Sequence, residues 1–84
     1  MIYKLALEKQ AVKDLVFIKR IGLDNSVFQM LKIISNNPFQ NPPPYKKLKG
    51  YSNRYSRRIN IQHRLVYEID NYEIKILSMW SHYE

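Results

Sequence analysis

The sequence predicts a small α+β domain, in which an N-terminal strand and two helices precede an antiparallel three-stranded meander in one sheet. Three observations carry that reading. The apolar period lengthens from two to between three and four at Glu8. All four prolines fall between Pro38 and Pro44, where no helix or central strand can pass. From Tyr55 onward, three runs alternate polar and apolar residues, with a turn signal between the last two.

Along the chain, Ile2, Lys4 and Ala6 alternate with Tyr3, Leu5 and Leu7, which suits a short strand buried over most of its surface. From Glu8 to about Arg20, Ala11, Leu15 and Ile18 share one helical face with Val12 and Val16 beside them. Lys9, Lys13, Asp14 and Lys19 are expected to point outward, and Gly22 is a natural stop. Asp24 or Ser26 can cap a second helix with a core stripe of Val27, Met30, Leu31 and Ile34. That helix must end near Asn36, because Asn37 precedes Pro38 and is pushed out of the α region. The prolines then dictate a stiff, extended connector. A strand over Tyr55–Ile61 and another over Arg64–Ile69 follow, and Asp70-Asn71 turns the chain into a last strand reaching about Trp80.

Eighty-four residues make one domain, expected to span 1–84, since neither side of the connector could build a core alone. A domain of this size usually leans on a partner, a metal or disulfides. With no cysteine, disulfides and thiolate zinc sites are excluded. His63 and His82 are too few for a dedicated metal cage unless carboxylates help, so neither metal nor cofactor is expected. No stretch approaches the roughly 20 apolar residues of a membrane span. Lys4 and Glu8 interrupt the N-terminal apolar run, unlike a signal peptide, so the cytoplasm is the expected location.

The net charge is +7, and its distribution says more than its size. No acidic residue lies between Asp24 and Glu68, a gap holding Lys32, Lys46, Lys47, Lys49, Arg54, Arg57, Arg58 and Arg64. Uncompensated cations in one segment suit either a solubilising surface or a polyanionic partner. Tyr45, Tyr51, Tyr55 and Tyr67 among them favour nucleic acid, because bases stack on such rings.

Metal-free RNA cleavage needs a proton acceptor for the attacking 2′-hydroxyl, fixed cations facing the phosphorane-like transition state, and a proton for the departing 5′-oxygen. DNA, lacking that hydroxyl, is inert to this route. His82 follows the last strand, and an imidazole with a pKa near 6.5 suits proton transfer at neutral pH. Arg64 opens a strand, and its guanidinium fork matches two phosphate oxygens. Arg57 and Arg58, being adjacent, must place one guanidinium on each face of the sheet. Each has a plainer reading: a histidine there also suits a simple surface role, and strand arginines commonly pair with carboxylates such as Glu68 or Glu73. His63 is expected to be structural.

The run Tyr55-Ser56-Arg57-Arg58-Ile59-Asn60-Ile61-Gln62-His63-Arg64-Leu65-Val66-Tyr67 closely resembles the Txe/YoeB branch of the RelE/ParE toxin superfamily, as does the ending Trp80-Ser81-His82-Tyr83-Glu84. Asn37-Pro38-Phe39 and the connector leading to Leu48 resemble one subgroup of that branch. The resemblance implies a RelE-like fold and a type II toxin held inactive by a cognate antitoxin. It implies a metal-independent endoribonuclease that cuts messenger RNA in the ribosomal A site and so inhibits translation. Matched by position, Arg64 would stabilise transition-state charge, His82 would be the general acid, and Tyr83 would orient the substrate or the histidine. Arg58 would bind the phosphate. Lys47, Lys49, Arg54 and Arg57 complete the expected RNA-binding set, and a homodimer is a further assembly open to such a protein.

One departure matters. The family's usual general base is a glutamate two residues before the leucine that matches Leu48, and here that position is Lys46. An ammonium is a poor base at neutral pH. Either Lys46 assists electrostatically, as lysines do in the RelE branch, or this copy is a weakened or inactive homologue that binds ribosome or antitoxin. The segment from Leu48 to Tyr55 is also about one residue shorter than the family's commoner form. Two other classes fit less well. A ParE-like gyrase inhibitor would generally lack the His82-Tyr83 ending, and a DNA-binding domain would need a recognition helix that neither helix offers.

Overall fold

A computed structural model of the chain describes residues 3–81. The elements run β1 (Lys4–Leu7), α1 (Lys9–Arg20), α2 (Asp24–Asn36), β2 (Lys46–Lys47), β3 (Arg54–Arg58), β4 (Arg64–Asp70) and β5 (Glu73–Ser81). The strands form one mixed sheet in the order β1-β5-β4-β3-β2. β1 lies parallel to β5, with Leu5 opposite Ile74 and Leu7 opposite Ile76, and every other pairing is antiparallel. The expected meander is therefore β3-β4-β5, widened by β1 on one side and by the two-residue β2 on the other.

Alternation assigns the two faces. Leu65 and Tyr67 of β4, Ile74, Ile76 and Met79 of β5, Ala11 and Ile18 of α1, and Val27 and Ile34 of α2 are fully buried together. The opposite face carries Arg54, Ser56 and Arg58 of β3 and Arg64, Val66 and Glu68 of β4. The two helices thus cover one side of the sheet, and Arg58 and Arg64 of the central motif lie on the other, whereas Arg57 points to the core side.

α1 ends in a Schellman motif. Leu23 N–H donates to Ile18 O at 3.0 Å and Gly22 N–H to Lys19 O at 3.1 Å, with Gly22 at φ +76°. The first helix's apolar surface is narrower than its pattern suggests, because Val12 and Val16 remain 50% and 57% exposed. Asp14 overturns its expected outward placement. It is buried, its Oδ1 accepts from Gln10 Nε2 and its Oδ2 from the backbone N–H of Met79, both at 2.9 Å. Neither Asp24 nor Ser26 caps α2. The cap position is Leu23, without a side-chain bond, and Asp24 sits in the first turn, where its charge complements the helix dipole.

The connector is ordered but curled rather than extended. Asn37 is extended, as a residue before proline must be, and its Oδ1 accepts from Phe39 N–H. The segment then wraps around the buried guanidinium of Arg57, which donates to the carbonyls of Pro38, Gln40 and Pro43 at 3.0, 2.8 and 2.6 Å. Curling satisfies carbonyls that prolines leave without ladder partners.

β3 also stops earlier than its alternating pattern, which continues to Ile61. Asn60 Oδ1 takes the N–H groups of Gln62 and His63, Ile59 N–H donates to His63 O, and Ile61 is 88% exposed at the tip. The asparagine side chain replaces strand pairing with a tight turn. In the last hairpin the turn residues are Asn71 and Tyr72, one position later than expected, with Asn71 at φ 56°.

Candidate functional site

Two clefts draw on residues of the open face, the second also reaching α1. The first has a volume of about 370 Å³ and is lined by Pro44, Tyr45, Lys46, Arg58 and Arg64. Its cations come from three strands in register. Lys46 stands opposite Ser56, and Arg58 opposite Arg64. Ser56 lies between them on the same face, and its buried Oγ accepts from Arg64 Nε at 2.9 Å. That bond fixes the plane of the guanidinium. Arg58 Nη1 donates to Ile61 O at 2.9 Å, which ties the second guanidinium to the tight turn. Among the described residues, no acidic side chain lines this cleft. Three cations facing one cavity make a strong site for a polyanion, most of all for one whose charge rises during reaction.

β5 ends at Ser81, whose Cα is the register partner of Arg64. His82 and Tyr83, expected as acid and orienting group, lie outside the described residues.

The second cleft, about 450 Å³, is lined by Gln10, Asp14, Leu48, Tyr51, Arg54, Val66, Leu77, Ser78 and Trp80. Arg54 lies over the Tyr51 ring at 4.3 Å and pairs with Glu68 at 3.5 Å. Irregular register makes this cleft possible. Between the Ser81–Arg64 and Ile76–Tyr67 pairs, β5 carries more residues than β4, so its alternation is broken and Leu77, Ser78 and Trp80 all reach the cleft wall. Trp80 is packed between Phe17 of α1 and the stacked ring of His63. His63 is buried, in the structural role expected of it.

Of the residues expected at the site, Lys46, Arg58 and Arg64 are brought together, and Arg54 borders the neighbouring cleft. Lys49 is exposed next to Leu48. Lys47, opposite Tyr55, takes the register position that alternates away from Lys46. Arg57 is removed from the RNA-facing set. It is fully buried, and its guanidinium is bonded to the connector carbonyls and to the Tyr67 hydroxyl. The tyrosines divide in the same way. Tyr55 and Tyr67 pack on the core side, where Phe39 and Tyr45 extend their aromatic cluster toward the first cleft, whereas Tyr51 stays 47% exposed beside Arg54. Burial pushes the Tyr67 hydroxyl above its ordinary value, and the adjacent Arg57 partly offsets this. Ser56 was legible as a neighbour of the cations, since it alternates onto the face of Arg58. Asp14 and Gln10 were not, because nothing in a helical pattern reports contact with a strand many residues away.

Residues 7–83 match the model of the YoeB-like toxin of bacterial type II toxin-antitoxin systems. The toxin YoeB of Synechocystis sp. is 40% identical over 75 residues, covering 84% of this chain and 77% of that protein. Among solved structures, the YoeB dimer from Staphylococcus aureus superposes with a TM-score of 0.86 at 32% identity, covering 99% of this chain and all of that one. The YoeB–YefM complex from Staphylococcus aureus gives 0.81 at 33% identity, covering 96% and 98%. The resemblance carried by the Tyr55–Tyr67 run and the connector thus extends over nearly the whole chain, which belongs to the YoeB-like toxins of type II toxin-antitoxin systems.

Proposed function

We propose that this toxin is an endoribonuclease that cuts messenger RNA at the ribosomal A site, without a metal, by attack of a 2′-hydroxyl on its own phosphate. The observation that carries this reading is the convergence of Lys46, Arg58 and Arg64 on one cleft. In the reaction, Arg58 binds the scissile phosphate. Arg64, held through Ser56, faces the equatorial oxygens as their charge grows. Lys46 adds a third cation, and Lys47, Lys49 and Arg54 extend the electrostatic footprint along the RNA. His82 protonates the departing 5′-oxygen, and Tyr83 orients the substrate or the histidine. The toxin works in the cytoplasm and is held inactive by a cognate antitoxin, and it is open to forming a homodimer. Both assemblies have counterparts in the Staphylococcus aureus YoeB–YefM complex and YoeB dimer.

A second reading is favoured by Lys46 itself: with an ammonium at the base position, the fold binds its targets but cuts weakly or not at all. Purified toxin in a reconstituted translation reaction, with cleavage mapped by primer extension, separates the two. Discrete A-site cuts that vanish in His82→Gln support the nuclease, and their loss in Lys46→Ala makes Lys46 a working residue. Silence from the native chain with strong cuts from Lys46→Glu supports the binding module.

A further inference from the structure

We infer that the second cleft is a base-binding subsite, which takes the nucleobase of a nucleotide adjoining the phosphate held by Lys46, Arg58 and Arg64. The inference rests on the RNA reading above and adds to it where the strand goes next.

The first argument is spacing. Each of three chain segments contributes to both clefts in the same sense: Lys46 then Leu48, Arg58 then Arg54, and Arg64 then Val66. The register Lys46–Ser56–Val66 runs across the boundary between them. Two residues along a strand advance about 7 Å, and the four from Arg58 to Arg54 about 13 Å, on the order of one to two nucleotide steps in an extended single strand. A strand whose phosphate fills the first cleft therefore presents its neighbouring base to the second.

The second argument is charge. Among the described residues, the first cleft is lined by three cations and no acid. In the second, Arg54 is offset by Glu68 at 3.5 Å, and Asp14 contributes a buried carboxylate. A second phosphate gains little there, whereas a neutral group with polar edges fits. The third argument is shape and surface. Leu48 and Val66 are buried at its floor, and the half-exposed Tyr51 ring with Arg54 over it at 4.3 Å offers the flat aromatic–guanidinium surface on which bases stack. Gln10 and Asp14, bonded to each other at 2.9 Å, put amide and carboxylate groups at the wall, where a base edge can be read. A carboxylate accepts only, so a base presenting amino or imino N–H groups is preferred there.

The chain has a single tryptophan, and Trp80 lines this cleft, so occupancy can be read directly. The probes are short oligoribonucleotides made uncleavable by a 2′-deoxy sugar at the cleavage position. One carries all its bases, and two are abasic on one or the other side of that position. The full strand is expected to change Trp80 fluorescence. One abasic strand is expected to bind about tenfold more weakly, in the range of one lost stacking contact, and to leave the fluorescence unchanged. Tyr51→Ala is expected to weaken the full strand by a similar factor and to leave that abasic strand unaffected. Equal binding of all three strands, or an equal loss for all three in Tyr51→Ala, overturns the subsite and leaves the nuclease reading, judged by cleavage, untouched. Binding by none of them overturns the subsite together with the phosphate cleft on which it depends.

Discussion

The Asp14 carboxylate of α1 accepts the backbone N–H of Met79 in β5 at 2.9 Å, across 65 residues of sequence. β1 ends opposite Ile76, three residues earlier, so a helix side chain holds the strand just beyond the reach of its parallel neighbour. Loss of this acceptor leaves a buried N–H without its partner, which costs about 2 kcal/mol. Asp14→Ala is expected to lower stability by about that amount in urea denaturation, and Asp14→Asn, whose amide oxygen still accepts, by well under half as much. Equal losses from the two substitutions would assign the cost to charge or packing instead.

Arg57 organises the connector in the same manner. Its donors reach Pro38, Gln40 and Pro43 from the middle of β3, a spread that suits a planar fork and not a point charge. Arg57→Met removes charge-assisted bonds and strands three carbonyls, with an expected loss of about 3 kcal/mol. Arg57→Lys should recover less than half of it. Limited proteolysis gives an independent check, since the 38–45 segment is expected to become the first site of cleavage in either variant.

These two residues also mark where the sequence stopped being legible. The alternation of β3 says that Arg57 and Arg58 face opposite ways, and they do, but it cannot say which face meets the helices. The answer depends on a connector folding back over that face, a tertiary event. Asp14 was misplaced because an aspartate one turn from polar neighbours reads as solvated. The backbone donor that draws it inward lies on β5 beyond the end of β1, a contact that only the folded sheet creates. By contrast, the helix limits and the antiparallel β3–β4–β5 pairs, which set Arg58 opposite Arg64, follow from local periodicity and short turns. The Arg58–Arg64 part of the cationic cleft was accordingly legible, whereas the strand that brings Lys46 to it, read as connector, and the cleft beside it were not.

Tyr67 makes stability fall at high pH. Its hydroxyl donates to Pro38 O at 2.8 Å and accepts from Arg57 Nε at 3.2 Å, and burial raises its pKa above the ordinary value. Below about pH 10 both folded and unfolded chains keep the proton, and Tyr67 adds no slope. Between the unfolded value and the higher folded one, only the unfolded chain releases it. Stability then drops by up to about 1.4 kcal/mol per pH unit. Tyr67→Phe is expected to lose about 1 kcal/mol at pH 7 and to show a shallower decline above pH 10. Parallel curves for the two proteins would place the titration elsewhere.

Ser56 is expected to matter to activity out of proportion to its size. Its Oγ is the acceptor that orients Arg64, and both sit on the cationic face. Ser56→Ala leaves every charge in place but removes one hydrogen bond that orients the guanidinium, so kcat for RNA cleavage should fall while KM changes little. Arg64→Lys keeps the charge and loses the fork, with an expected fall of about a hundredfold, in the range of one lost transition-state donor. An unchanged kcat in Ser56→Ala would mean that contacts other than the Ser56 hydroxyl orient the arginine.

Salt separates the roles of the cations. Each phosphate contact that neutralises an RNA charge adds about −0.7 to the slope of log affinity against log salt for a single strand. Arg58→Ala and Lys46→Ala each remove one cation from the cleft, so each slope should become shallower by about that increment. Arg54 differs, since Glu68 already neutralises part of its charge and Tyr51 lies under it. Arg54→Ala is therefore expected to weaken binding with a much smaller change in slope, through lost stacking rather than lost counterion release. A full increment for Arg54 in the same titrations would make it a phosphate ligand and count against a neutral occupant in the neighbouring cleft.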